Sequence, residues 1–265
     1  MGAFQFKDIK IDKANNELLK ENYKKFYSDD EITYNYISKE SQETYKSLII
    51  DYDSPNKNQK IFSDSIFIFD WDDTLMCTSF LAPFGILDEM DLKLDPNQAE
   101  NIKILDESAF KLLFSTIVLG DTYVITNATI SWVHFSAEKL YPKVSTLLKK
   151  VKIISARDLY EKKYPSNNKK WKICTFLDIK RRYFSNTDIN IICIGDSNIE
   201  MQAANALAAE FESSYLKTIK FRESPKIEEL IKQINLIVNN LKKIYEEKKN
   251  LKITVEKKNF KIGNV

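Results

Sequence analysis

Three patterns of apolar and polar positions follow one another along the chain. Residues 1–60 are polar and tyrosine-rich, with two apolar stripes at helical spacing: Leu18, Leu19, Tyr23, Phe26 and Tyr27, then Tyr45, Leu48 and Ile49. A single stripe on each predicts amphipathic helices that lie against another surface. The loop-forming residues 53–58 close this part. From residue 61 onward β-type and helix-type segments alternate. The first is the unbroken run Ile66-Phe67-Ile68-Phe69, which stops on Asp70-Trp71-Asp72-Asp73-Thr74. An apolar run without alternation reads as a strand buried on both faces, at the centre of a parallel sheet.

A helix is predicted over 96–119, with Ile102, Ile104, Leu105, Phe110, Leu113 and Phe114 as apolar positions, then a strand at 122–125 and a helix at 132–140. A strand at 151–154, a helix opening at 169–172 and strands at 190–194 and 216–221 follow. This alternation predicts an α/β fold, a three-layer Rossmann-like parallel sheet with helices on both faces. Ser224-Pro225 has the form of a helix start, a capping hydroxyl before a proline. The helix after it carries Ile227, Leu230, Ile231, Ile234, Ile237, Val238, Leu241 and Ile244 on one face. Past Asn250, the residues Leu251, Ile253, Val255, Phe260 and Ile262 alternate with polar ones. That predicts a hairpin or an added edge strand, on this sheet or on another molecule's. The expected organisation is an N-terminal extension over 1–60, a core over 61–245 and a basic tail over 246–265.

Composition narrows the classes. A chain of 265 residues, 43% hydrophobic and 29% charged, suits one medium domain with extensions. No run of about 18 apolar residues is present, so no membrane span is expected. The N-terminus lacks a secretory pattern and carries Asp8, Asp12 and Glu17, unlike a transit peptide. Phe6 stands where a myristoylation signal needs Ser or Thr. Cys77, Cys174 and Cys193 are far apart in apolar surroundings, which predicts buried thiols in a reducing, cytoplasmic setting. The formal charge of +2 conceals 13 basic against 6 acidic residues over 217–265. We read that excess as a solvated lysine-rich helix face; nucleic acid is not the expected partner.

The candidate chemistry lies where strands end. Asp70 and Asp72 close the first strand, Thr126 the second, and Asp196 with Glu200 follows the fourth, while Lys172 sits near the start of the helix before it. Ligands of open α/β sheets bind at that end of the strands. A carboxylate can attack phosphorus to give an aspartyl phosphate, which suits Asp70. A second carboxyl can protonate the leaving oxygen and later activate water, which suits Asp72. Asp70, the backbone carbonyl of Asp72 and Asp196 offer the hard oxygen ligands Mg2+ prefers, with Glu200 holding a metal-bound water. The Thr126 hydroxyl, N–H groups after Asp70 and the Lys172 ammonium would counter phosphoryl charge.

These residues resemble the haloacid dehalogenase superfamily of hydrolases. The resemblance rests on four motifs in order: Asp70-Trp71-Asp72-Asp73-Thr74 after an apolar strand; Thr126 at the end of a second strand; Lys172 near a helix start; and Gly195-Asp196-Ser197-Asn198-Ile199-Glu200 after a further strand. It covers about residues 61–240, and longer stretches are similar to eukaryotic, largely protist, members. It implies a central first strand, magnesium dependence and phosphomonoester hydrolysis, with Thr126, Asn127 and Lys172 on the phosphate. An acid at position 72 points to phosphate esters, since dehalogenase members lack it. Glu200 stands where Asp is commoner, and Lys169 and Lys170 rival Lys172. The intervals between motifs leave no room for a cap domain, so the implied site is open and suits a phosphate on a macromolecule or needs a partner to close it.

Other residues read more plainly. Trp71, Trp132 and Trp171 are expected to pack in the core or at its rim, and His134 to be structural. Asn127-Ala128-Thr129 matches a glycosylation sequon but lies at the expected site. The competing function is a non-catalytic subunit of a large assembly, cytoskeletal or ciliary for example, held by protein partners through 1–60 and 246–265.

Overall fold

Six parallel strands form one sheet in the order β3-β2-β1-β4-β5-β6. They are β1 (Asp64–Phe69), β2 (Asp121–Thr126), β3 (Lys152–Ser155), β4 (Ile189–Gly195), β5 (Ser214–Lys220) and β6 (Leu251–Thr254). The computed structural model describes residues 64–82, 94–183 and 188–256. The helices between the strands are α1 (Thr78–Leu81), α2 (Pro96–Leu119), α3 (Ile130–Leu140), α4 (Pro142–Leu147), α5 (Ala156–Tyr160), α6 (Asn168–Lys180), α7 (Asn198–Ala209) and α8 (Ile227–Glu246). Among the described residues no helix is long and apolar enough to cross a membrane.

The side chains of β1 explain its central place. Phe67 and Phe69 enter a core shared with α2, α3, α4 and α8, while Ile66 and Ile68 enter a second core under α6 and α7. With both faces buried, only a fully apolar strand fits, and β1 pairs with β2 on one side and β4 on the other. The result is the three-layer, Rossmann-like arrangement expected from the alternation of elements. Strand order reverses between β1 and β4, which opens a crevice beyond their C-terminal ends.

Local chemistry sets the boundaries. Asp95 and Gln98 form a reciprocal capping box at the start of α2, with Pro96 at its first position. The helix ends at Gly120, where a Cβ would lie 2.4 Å from the Ser65 carbonyl oxygen, so no side chain fits between α2 and β1. Asp106, buried in α2, accepts from the backbone N–H groups of Lys143 (3.0 Å) and Val144 (2.9 Å) and so caps α4 from a neighbouring helix.

Several expectations are corrected. Ile104, expected on the apolar face of α2, is 43% exposed. The last helix begins at Ile227, not at Ser224-Pro225: Ser224 has φ 47°, outside the extended geometry of an N-cap, and Lys226 occupies that position. His134 is exposed on α3 and supports no core. Of the two forms expected after Asn250, β6 takes the edge-strand form, parallel to β5 of its own sheet. Residues 1–60 and the positions Phe260 and Ile262 lie outside the described residues.

One polar cluster inside the core went unforeseen. Lys217, in the middle of β5, is fully buried and donates to Asn190 Oδ1 and to the Tyr245 carbonyl (3.4 Å) at the end of α8. Asn190 Nδ2 donates to the same carbonyl at 3.2 Å. These donors satisfy the C-terminal end of α8 from below. Burial pushes the Lys217 ammonium down to about 7 from 10.5, opposed in part by Glu247. The unfolded chain therefore binds more protons than the folded one between these values, and stability rises with pH across that window. Replacing Lys217 by Met should flatten this rise. The check is the difference in urea midpoint between wild type and Lys217→Met at pH 6.5 and pH 10, which should move in favour of wild type as pH increases.

Candidate active site

The crevice between β1 and β4 receives its acids from backbone continuations of the two strands. The Asp70 N–H donates to the Ile194 carbonyl at 3.1 Å, carrying the β1–β4 ladder one residue past the strand. The chain then turns tightly, the Trp71 carbonyl accepting from the N–H groups of Thr74, Leu75 and Met76 at 3.4, 2.9 and 3.0 Å. Asp73 takes φ 54°, a left-handed conformation that aspartate tolerates better than most residues. Its carboxylate accepts from the Ser79 N–H (2.9 Å) and from the Ser79 hydroxyl. The Thr74 hydroxyl is buried with no hydrogen-bond partner among the described residues.

Lys172 comes from the face of α6 that carries Trp171, Thr175, Phe176 and Ile179 into the core. Its ammonium is 1% exposed and lies 2.7 Å from Asp70 Oδ1 while also pairing with Glu200 Oε1. Lys169 and Lys170, just before it in sequence, face solvent. Glu200 is the third residue of α7 and closes a capping box: its Oε2 accepts from the Ser197 N–H (3.0 Å) and the Ser197 hydroxyl. Gly195 leaves room for this carboxylate, since a Cβ there would lie 2.5 Å from Glu200 Cγ. Glu200 is thus both a helix-start acid and the second partner of the buried ammonium.

Asp70, Asp196 and Glu200 each place a carboxylate oxygen within 4.8 Å of the others. Burial, then the neighbouring Glu200 and Asp73, raise the Asp196 carboxyl to about 7. Burial also lifts Asp70 well above the carboxylate range, against the pull of Lys172. Burial acts on Glu200 in the same direction, but Lys172 and Ser197 outweigh it and hold that carboxyl below its usual value. Desolvation works against the Lys172 charge, and its two acids more than compensate, so the ammonium is retained. Three carboxyls around one ammonium leave the cluster short of positive charge, and its donors are all hard oxygens. This donor set would fit a divalent cation of the magnesium type, with Asp70 and Asp196 the residues free to hold it. Both Glu200 oxygens are already engaged by Lys172 and Ser197.

The side chain of Asp72 is not part of this cluster. It turns to the other side of the crevice, accepting from the Thr78 hydroxyl (2.7 Å) and Trp132 Nε1 (2.9 Å) on Oδ1, with the Thr126 hydroxyl 3.3 Å from Oδ2. Thr126, fully buried at the end of β2, accepts from the Ala128 N–H at 2.9 Å, and the Ala128 carbonyl accepts from the Ser155 hydroxyl at 2.7 Å. Asn127 follows Thr126 in this loop, and its side-chain oxygen is buried with no partner among the described residues. Asp70, Lys172, Asp196 and Glu200 therefore meet at one point, with Asp72, Thr126 and Asn127 along the adjoining rim.

Sequence reasoning missed Trp132 as a site residue and treated it as packing. Its place in the first turn of the helix after β2, where rim residues arise, is the signal that could have singled it out. Trp71 and Trp171 do pack in the core, their indole N–H groups satisfied by Ser136 Oγ (3.1 Å) and the Tyr164 carbonyl (2.6 Å). No family model, curated protein or solved structure matches the chain.

Removing the amine of Lys172 exposes the electrostatic logic of the site. Lys172→Met strands two buried carboxyls and should destabilise the fold by about 3–5 kcal/mol near pH 8. Without the ammonium both acids titrate higher in the folded state, and a raised folded value means stability lost as pH rises. The deficit relative to wild type should accordingly be smaller at pH 5 than at pH 8 in urea unfolding; equal deficits would show that shape rather than charge is at stake.

Proposed function

We propose that this chain is a magnesium-dependent phosphatase of the haloacid dehalogenase type, hydrolysing phosphomonoesters through an aspartyl phosphate on Asp70. The observation that carries the reading is the buried Lys172 ammonium 2.7 Å from Asp70, at a spot where Asp70, Asp196 and Glu200 also converge. A carboxylate beside an ammonium at the switch point of an α/β sheet can present an oxygen to a phosphoryl group while its surroundings bear positive charge.

In this reading Asp70 attacks phosphorus and the bond to the leaving oxygen breaks, the electron pair departing with that oxygen. Asp72 gives the leaving oxygen its proton and then, as a carboxylate, takes one from the water that cleaves the aspartyl phosphate. The Thr126 hydroxyl and the Lys172 ammonium hold the phosphoryl oxygens, and Glu200 keeps Lys172 charged and in place. A magnesium ion bound by Asp70 and Asp196 would supply the remaining positive charge. The site takes its substrate from the C-terminal ends of the strands, and a phosphate carried on a macromolecule suits an open crevice of this kind.

Hydrolysis of p-nitrophenyl phosphate tests the reading. Turnover should require Mg2+ and should fall by on the order of a thousandfold or more in Asp70→Asn. Equal rates for the two proteins would remove Asp70 from the mechanism, and no Mg2+-dependent turnover by the wild type would leave the non-catalytic reading, a scaffold held by its terminal segments. A second check needs no turnover. Only the ionised Asp196 ligates, and its carboxyl titrates at about 7, so Mg2+ binding should strengthen as pH rises through that value. The Mg2+-induced increase in Tm should be larger at pH 8 than at pH 6 and be lost in Asp196→Asn.

A further inference from the structure

We infer that Trp132 and Thr78 are positioning residues that hold Asp72 by its Oδ1 and so fix the orientation in which it serves the leaving group. The inference rests on the phosphatase reading and deepens it. Asp72 Oδ1 accepts two hydrogen bonds, from the Thr78 hydroxyl at 2.7 Å and from Trp132 Nε1 at 2.9 Å. An indole N–H can only donate, so the oxygen it faces serves as an acceptor. The other oxygen, Oδ2, accepts only a long 3.3 Å hydrogen bond from the Thr126 hydroxyl. Oδ1 is therefore engaged by two short bonds, and Oδ2, beside the end of β2, is the oxygen left free to pass a proton. Both donors to Oδ1 are neutral, so they orient the carboxyl without placing a cation beside it.

The orientation of Trp132 is itself fixed from several sides. The Trp132 N–H donates to Thr129 Oγ1 at 3.2 Å in the N-cap of α3, and the indole packs against Phe135 with ring centroids 6.4 Å apart. The Trp132 carbonyl accepts from Ser136 Oγ at 2.7 Å, and Ser136 Oγ accepts from Trp71 Nε1 at 3.1 Å. Trp71 lies between Asp70 and Asp72 in sequence. The acid-bearing turn thus sends one indole into α3, and α3 returns another to the acid. A closed circuit of this kind holds Asp72 to one rotamer before substrate arrives, which is how a supporting shell preserves the geometry of a catalytic group.

In the proton-transfer step the leaving oxygen gains the Oδ2 proton as its bond to phosphorus breaks, and Asp72 is left as a carboxylate. A poor leaving group needs that proton and p-nitrophenolate does not. The experiment compares kcat/KM, which reports events up to release of the leaving group, for β-glycerophosphate and p-nitrophenyl phosphate. Trp132→Phe keeps the ring but removes the donor, and Thr78→Val removes the other donor at similar volume. Each should lose on the order of tenfold or more with β-glycerophosphate and less than about threefold with p-nitrophenyl phosphate, a part of the effect of the acid itself. Equal losses with both substrates, or no loss, in a variant that folds would overturn the inference and leave the phosphatase reading intact. If Trp132→Phe does not fold, the same comparison in Thr78→Val decides between these outcomes. A wild-type protein that turns over neither ester overturns both.

Discussion

The buried ammonium of Lys172 is the interaction on which this site depends. Taking an ammonium and two carboxylates out of water is expensive unless they meet in good geometry with their remaining hydrogen-bonding capacity used. Here Asp70 and Glu200 share one amine, and Ser197 satisfies the second Glu200 oxygen through its N–H and hydroxyl. Three elements are thereby tied together: β1 through Asp70, α6 through Lys172 and α7 through Glu200. The glycine at position 195 belongs to the same constraint, since any side chain there would displace the carboxylate that holds the amine.

The sheet makes this meeting possible. Parallel strands deliver all their C-terminal ends to one rim, and the reversal of order between β1 and β4 leaves a gap at that rim instead of a covering helix. Asp70 and Asp196 follow the two strands that flank the gap. Their separation in sequence is large, but their separation in space is set by a single strand spacing. Burial is what chiefly raises Asp70 and Asp196, with the neighbouring carboxyls adding to it, and the excess of carboxyl over ammonium is the physical reason the cluster suits a hard cation.

Asp72 occupies a different environment from its neighbour two residues away. It meets neutral donors from Thr78, Trp132 and Thr126, whereas Asp70 meets a lysine and two acids. Two carboxyls on one short turn thus meet different surroundings. The turn itself, closed on the Trp71 carbonyl with Asp73 at positive φ, gives the two side chains different partners.

Much of this was legible in the chain. The unbroken run before Asp70 reads as a strand buried on both faces, and the β-then-α alternation after it points to parallel pairing, so fold class and the rim positions of Asp70, Thr126 and Asp196 followed from local pattern. The choice among three lysines did not, although Trp171, Thr175, Phe176 and Ile179 mark the buried face of α6 and place Lys172 on it. The start of α8 was misread because Ser-Pro is a good local signal and the left-handed Ser224 overrides it. Lys217, alternating with Ile219 and Phe221, faces the core only because α8 ends above it and offers carbonyls to a donor. Trp132 could be recognised as more than packing only when α3 was docked against the turn after β1. Hydrophobic periodicity is a property of neighbours in sequence, and so it determined the elements and their order. Which polar groups face one another across α3, α6 and α7 depends on how those helices pack, and only the tertiary structure decided that.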